Sequence, residues 1–192
     1  MENYLVDNYN INNFTFTKPK KHGDYLVGKI KNEKENNIFV QFPRMKVVSQ
    51  ENDVIELEFI HESGYSKKVY NFLSELDNYI VDYVTEKSEE WFGKKISTVK
   101  QMYNNFIKAP KTTEDKCTVR INKGKGEIIY KKQVVDSVEK DDNMESIVQF
   151  KYIVFSKTFL SDEKALGKIK TESLLILINS EIYFYTSILP II

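Results

Sequence analysis

Residues 54–84 read VIELEFIHESGYSKKVYNFLSELDNYIVDYV, and within them the hydrophobic period changes from two residues to between three and four. Val54 to Ile60 alternates apolar with acidic side chains, the pattern of a strand with one face buried and the other in water. Val54, Leu57 and Phe59 do not share one register, which predicts a bulge or an edge position. HESGYS then breaks the strand. Beyond it Val69, Phe72, Leu73, Leu76, Ile80, Tyr83 and Val84 recur at helical spacing, predicting one amphipathic helix over Lys67 to Val84 with Ser66 as its N-cap.

Outward from this stretch the chain reads as strands. Upstream, Tyr25–Ile30 and Ile38–Val48 are rich in β-branched and aromatic residues and are separated by the polar KNEKENN. The Asn-rich residues 1–15 are expected to form an arm lying across the domain. Downstream, EKSEEWFGKK (86–95) predicts a tight turn whose aromatics, Trp91 and Phe92, plug the end of the helix. A second helix is predicted over Thr98–Lys108, capped by Ser97, with Val99, Met102, Tyr103, Phe106 and Ile107 inward and Pro110 ending it. Cys117–Ile121 and Glu127–Tyr130 read as strands joined by an exposed hairpin around GKGE, and Ile147–Phe155 as a further strand. Phe159–Lys170 fits a loop or short helix, and Leu174–Ile178 and Ile182–Tyr185 fit two buried strands. The layout is strands, two helices, then strands, with an arm over 1–15, one β-rich domain over 16–192, and no internal repeat.

Composition narrows the functions available. The 192 residues are 41% hydrophobic and 29% charged, the balance of an ordinary globular chain that needs one core. The 28 basic and 28 acidic residues cancel, so no long-range field draws the molecule to nucleic acid or to a membrane; any binding face must come from how the charges are distributed. Cys117, the single cysteine, excludes an intrachain disulfide and reads as a small buried strand residue. MENYLVDNYNINNF lacks the features of a secretory signal, and Asn179 and Glu181 interrupt the apolar run Leu174–Ile192. The expected location is a reducing cytosol, including that of an infected cell, with no membrane partner.

Catalytic chemistry finds no support in the motifs. His22 and His61 lie outside any zinc-ligand spacing, and neither a phosphate-binding nor a dinucleotide-binding glycine pattern occurs. Glu56 and Glu58 share a strand face, but no neighbouring ligands complete a cation site. The expectation is a non-enzymatic protein with no metal, no cofactor and no small-molecule substrate. What remains is basic residues interleaved with aromatics. Lys18, Lys20, Lys21, His22, Lys29 and Lys31 surround the first strands; Lys116, Arg120, Lys123, Lys125, Lys131 and Lys132 crowd the later ones. If the fold gathers them, a groove could follow a phosphate backbone while Tyr25, Phe39, Phe42 and Tyr130 stack on bases. If it does not, the lysines serve solubility.

IFVQFPRMKVVS, IELEF, FLSELDNYIVDYVTEKSEEWFGKK, QMYNNFIKAP and CTVRINK, in this order and spacing, resemble a family encoded by nucleocytoplasmic large DNA viruses and similar to single-stranded DNA-binding proteins of the short phage-replication type. SEEWFGKK followed by a helix containing MY is the most specific element. The resemblance implies an oligonucleotide-binding fold holding single-stranded DNA without regard to base order, in viral replication, recombination or repair, within the host cytoplasm or a viral factory. The expected fold class is therefore mostly β with two helices, an OB-like five-stranded barrel or a small β-sandwich, with a helical insertion at about 66–108. By matching segments the binding residues are Gln41, Phe42, Arg44, Lys46, Arg120 and Lys123, with Lys125 and Lys131 added from the lysine-rich hairpin. The chain departs from the family at its end, where an apolar YFYTSILPII replaces the usual acidic tail. That end motivates the alternative of a minor capsid or internal virion protein, which would pair with itself or another viral protein through this segment.

Overall fold

A computed structural model describes residues 4–23, 25–34, 37–60, 64–110, 116–123, 128–130, 133–156 and 177–189, without the side chains of Met102, Ile129, Tyr130, Ser156 and 177–189. It is mostly β with two helices and one large, predominantly antiparallel sheet. The strands are β1 Thr15–Phe16, β2 Lys20–His22, β3 Tyr25–Lys31, β4 Ile38–Glu51, β5 Val54–Phe59, β6 Ile107–Lys108, β7 Thr118–Asn122, β8 Ile128–Tyr130, β9 Gln133–Val135, β10 Asn143–Ser156 and β11 Leu177–Leu189. Helix α1 spans Gly64–Phe92 and α2 Val99–Met102.

The alternating stretch that sets the register is β5. Ile55, Leu57 and Phe59 are buried, Glu56 and Glu58 take the other face, and Val54 lies exposed at the strand start. No bulge is needed in β5. The extra residue sits in its neighbour: Val47 pairs Leu57 and Ser49 pairs Glu56, so Val48 is the bulged residue. A second irregularity in β4 follows from Pro43. Met45 pairs Met144 and Phe42 pairs Ser146, leaving two β4 residues, Pro43 and Arg44, opposite one residue of β10. A proline cannot donate to a ladder, and a bulge outside the β4–β5 pairing lets a long inner strand carry one.

β10 organises the sheet. Along one edge it pairs with β11 (Asn143↔Leu189 to Val154↔Leu177), and along the other with β4 and then β3, which lie end to end. β4 pairs β5, β5 pairs β7, and β7 meets β11 in parallel through Asn122↔Glu181. The pairings of β4, β5, β7, β11 and β10 thus return to their starting strand. The β7–β11 junction is one residue pair rather than a ladder, so the sheet is not a ladder-closed barrel. β7 and β8 do not form the hairpin expected around GKGE; β8 runs parallel to β11 and makes its hairpin with β9. A single strand, β11, also takes the place of the two short strands expected in the tail.

Helix α1 is longer than its hydrophobic stripe predicts. The buried row Leu76, Ile80, Val84 continues by fours to Ser88, a serine that reads as a break in sequence but is fully buried here. Its Oγ donates to Thr85 O at 2.8 Å and accepts Ile96 N–H at 2.9 Å, fastening the chain as it turns back. The turn itself is Gly93, at φ +73°, whose N–H bonds Glu89 O. Trp91 and Phe92 end the helix and pack edge-on against Phe155 of β10, which is the plugging role expected of them. At the other end Ser66 is not a cap: it lies inside the helix, buried, its Oγ without a hydrogen-bond partner among the described residues. The start is fixed instead by Tyr65, whose hydroxyl donates to Gln41 O at 2.9 Å and accepts Val6 N–H.

The second predicted helix shrinks to one turn, because Tyr103–Lys108 is drawn out to meet α1 and β7. Tyr103 Oη donates to Asp77 Oδ1 at 2.7 Å, Phe106 N–H reaches the same carboxylate, and β6 pairs with β7. Residues of the amino-terminal arm bury Val6, Ile11 and Phe14 against α1, where Tyr79 Oη donates to Phe14 O and Lys68 pairs Asp7.

Candidate nucleic-acid interface

The face of β4, β5 and β7 opposite the core is polar because each strand alternates. Buried Met45, Val47, Ile55, Leu57, Val119 and Ile121 leave Arg44, Lys46, Glu56, Glu58, Thr118 and Arg120 on the other side. The register aligns them in rows, Lys46–Glu58–Thr118 and Glu56–Arg120. A groove of about 410 Å³ runs over this face. Val48, Glu56, Glu58, Thr118 and Arg120 line it from the sheet, and Asn104, Lys108, Ala109, Pro110 and Lys116 wall it.

Ion pairs organise the groove. Glu56 accepts Arg120 through Nε at 3.1 Å and Nη2 at 2.9 Å, and Thr118 Oγ1 at 2.9 Å, leaving Nη1 of Arg120 open among the described residues. Lys46 Nζ lies 2.7 Å from Asp141; this contact holds the lysine above its ordinary range and the carboxylate below its own. Burial pushes the Lys108 ammonium down, and its Nζ donates to Asn104 Oδ1 and Asn105 O. Lys116 donates to Ile60 O at 2.9 Å. Glu58 makes no hydrogen bond to the described residues, and Arg44 is exposed with no ion pair among them.

The wall carrying Asn104 and Lys108 is tied to α1 by Asp77. That carboxylate is 5% exposed, and burial raises it to about 6 against the opposing pull of the Tyr103 hydroxyl, the Phe106 and Ile107 amides and the Lys108 charge. By residue type alone Asp77 reads as one more solvated acid of an amphipathic helix, and the sequence reading did not single it out. Its position three residues before Ile80 and four after Leu73, inside the apolar stripe, is the signal that could have done so.

The expected binding residues are gathered in part. Arg44, Lys46 and Arg120 share the face. Gln41 lies on β4 beyond the Pro43 bulge, its carbonyl occupied by Tyr65. Phe42 is 2% exposed, pointing into the core, and is unavailable for stacking; counting from the bulge rather than through it explains why. Lys123 folds back, its Nζ on Asp136 O at 2.9 Å and its side chain 18% exposed. Lys125 and Lys131 lie outside the described residues, as do Lys132 and His61. Lys29 and Lys31 belong to β3, across β10 from β11 and away from the groove. Of the aromatics expected to stack, Phe39 is half-buried with Tyr4 at 5.8 Å, and Tyr25 is exposed at the far end of β3. No aromatic side chain lines the groove among the described residues.

A larger groove, about 640 Å³, separates the arm from α1, but its charged lining is Asp7, Glu75 and Asp82 against Lys68, which is already paired with Asp7. A phosphate chain is repelled there. Among the described residues no cluster of His, Cys, Asp or Glu is arranged to hold a metal ion, and no helix is long and apolar enough to cross a membrane. No protein-family model matches the chain, and no curated protein does.

Proposed function

We propose that the protein binds single-stranded DNA without regard to base order and that the β4–β5–β7 face is where it does so, in viral DNA replication, recombination or repair. The observation that carries this reading is the ring of pairings. Taken in chain order, β4, β5, β7, β10 and β11 are strands one to five, and their spatial order is one, two, three, five, four, back to one, with three and five parallel. That is the order of an oligonucleotide-binding barrel, whose ligand face is centred on strands two and three. The 410 Å³ groove lies over β5 and β7, the strands in those positions.

Lys108, Lys116 and Arg120 line the groove, Arg44 and Lys46 stand on the same face of the sheet, and together they supply cations that release counterions from a phosphate backbone. Affinity then rests more on charge than on stacking, since the groove offers no aromatic platform among the described residues. The virion-structural alternative needs the apolar end free. β11 has β10 on one edge and β7 and β8 on the other, which supports a strand used within the fold.

Replacing Arg44 and Arg120 together by alanine tests the assignment. The expected result is weaker binding to all single-stranded sequences alike, with the slope of log K against log salt made shallower by about 0.7 for each phosphate that is no longer neutralised. Unchanged affinity and slope would remove this face from the account.

A further inference from the structure

Basic residues ahead of the groove strands gather on a surface of their own. β3 alternates, turning Leu26, Gly28 and Ile30 to one side and Tyr25, Val27 and Lys29 to the other. Gly28 and Ile30 are buried, and Gly28 pairs with the buried Ile153 of β10, so the first side faces the core. Register partners share a face, and the second side therefore reads in rows: His22 beside Tyr25, Lys20 beside Val27 and Val154, Lys29 beside Tyr152. Lys20, His22, Tyr25 and Lys29 are exposed, and Val27, Tyr152 and Val154 are half-buried between them. At 51% Tyr25 is the most exposed aromatic among the described residues. β2, β3 and residues 151–156 contain no acid; Asp24, between β2 and β3, lies outside the described residues.

Cations flanking an exposed ring combine the two things that hold a single strand, charge for its phosphates and a flat surface for its bases. The groove supplies only the first among the described residues. We propose that the β2–β3–β10 face is a second contact surface for single-stranded DNA, on which a base stacks against Tyr25 while Lys20 and Lys29 meet the flanking phosphates. This rests on the single-stranded DNA reading and extends the strand's path beyond the groove. Lys46 pairs with Asn143 and Lys29 with Tyr152, nine residues further along β10, which at about 3.3 Å each sets the surfaces about 30 Å apart along that strand. Nucleotides stacked at about 3.4 Å cover that span in about nine. One strand that reaches both surfaces makes its second contact intramolecular, so affinity rises with length. Stacking on a tyrosine tolerates any base, in keeping with binding that ignores base order.

The test is an anisotropy titration with oligothymidines of about 6 and about 20 nucleotides, one too short for a stacked strand to span both surfaces and one long enough. It compares the wild-type protein with Tyr25→Ala and with the double variant Lys20→Ala, Lys29→Ala, exposed positions whose loss leaves the core intact. Tyr25→Ala is expected to weaken binding of the long probe about tenfold, as the loss of one stacked base allows, and to change the short one little. The double variant should lower the salt slope for the long probe by about 1.4, two phosphates at about 0.7 each. Long-probe affinity and salt slope unchanged in both variants would overturn the second surface and leave the groove reading standing. Equal losses on the two probes would overturn its role as an extension and make it the primary site. Failure of the wild-type protein to bind either probe would overturn both readings.

Discussion

Asp77 shows how one residue can carry more of the structure than its surroundings in sequence suggest. Its carboxyl is raised from 3.8 to about 6, chiefly by burial, so the folded protein holds the proton more tightly than the unfolded chain. Its contribution to stability is therefore complete below the unfolded value and is lost as pH rises through about 6, by about 3 kcal/mol at most. Asp77→Asn keeps an acceptor for Tyr103 and Phe106 and removes the titration. Urea midpoints measured from pH 4 to 7.5 should fall with pH in the wild-type protein and stay comparatively flat in the variant; parallel profiles would contradict the assignment. Trp91 is the opposite case, visible in sequence and doing what its neighbours imply. It is half-buried among Tyr83, Phe92 and Phe155, so Trp91→Ala should cost roughly 2 kcal/mol in equilibrium unfolding, less than the roughly 3–5 kcal/mol of a fully enclosed aromatic, with DNA affinity unchanged.

At the scale of elements, what was legible depended on whether local pattern or distant contact decides the outcome. β5 and the body of α1 follow from period alone, because alternation and helical spacing report which face is buried. The ends of α1 do not. Tyr65 begins the helix early by bonding β4 and the arm, and Ser88 lengthens it by bonding Ile96; both are contacts with residues that the local window omits. The second helix fails for the same reason, since Asp77 and β7 outweigh a helical propensity worth only tenths of a kcal/mol per residue. Gly28 of β3 illustrates a constraint that no pattern shows: a Cβ there would stand 2.6 Å from Thr17 O and 3.0 Å from the Ile153 side chain. Gly28→Ala should therefore split β3 from its neighbours and lower the melting temperature sharply. The arm behaves as an element too. Removing residues 1–14 uncovers the hydrophobic seat of Val6, Ile11 and Phe14 and should destabilise the protein by about 5 kcal/mol, read by thermal or urea unfolding.

For the molecule as a whole, sequence indicated a β-rich fold, left open whether its basic residues converge, and did not show how distant strands meet. The ring depends on β4 and β10 bending through bulges and on β7 touching β11, pairings whose register is set by the complete sheet rather than by any segment. Of the residues expected to bind DNA, Arg44, Lys46 and Arg120 come together because their strands are neighbours in that order. Phe42 and Lys123 do not join them: the first faces the core and the second is turned onto a backbone carbonyl. Charge counts could not foresee that Glu56 and Glu58 would share the groove with the cations, although their alternation in β5 already placed them on its outer face. The most direct test of the central claim is fluorescence-anisotropy titration of the protein with labelled single-stranded oligothymidine, at two salt concentrations and against duplex competitor. A protein that holds single strands on the β4–β5–β7 face binds tightly, weakens steeply with salt and is not competed away by duplex DNA; no binding at low salt, or equal competition by duplex, would rule that face out as a single-strand site.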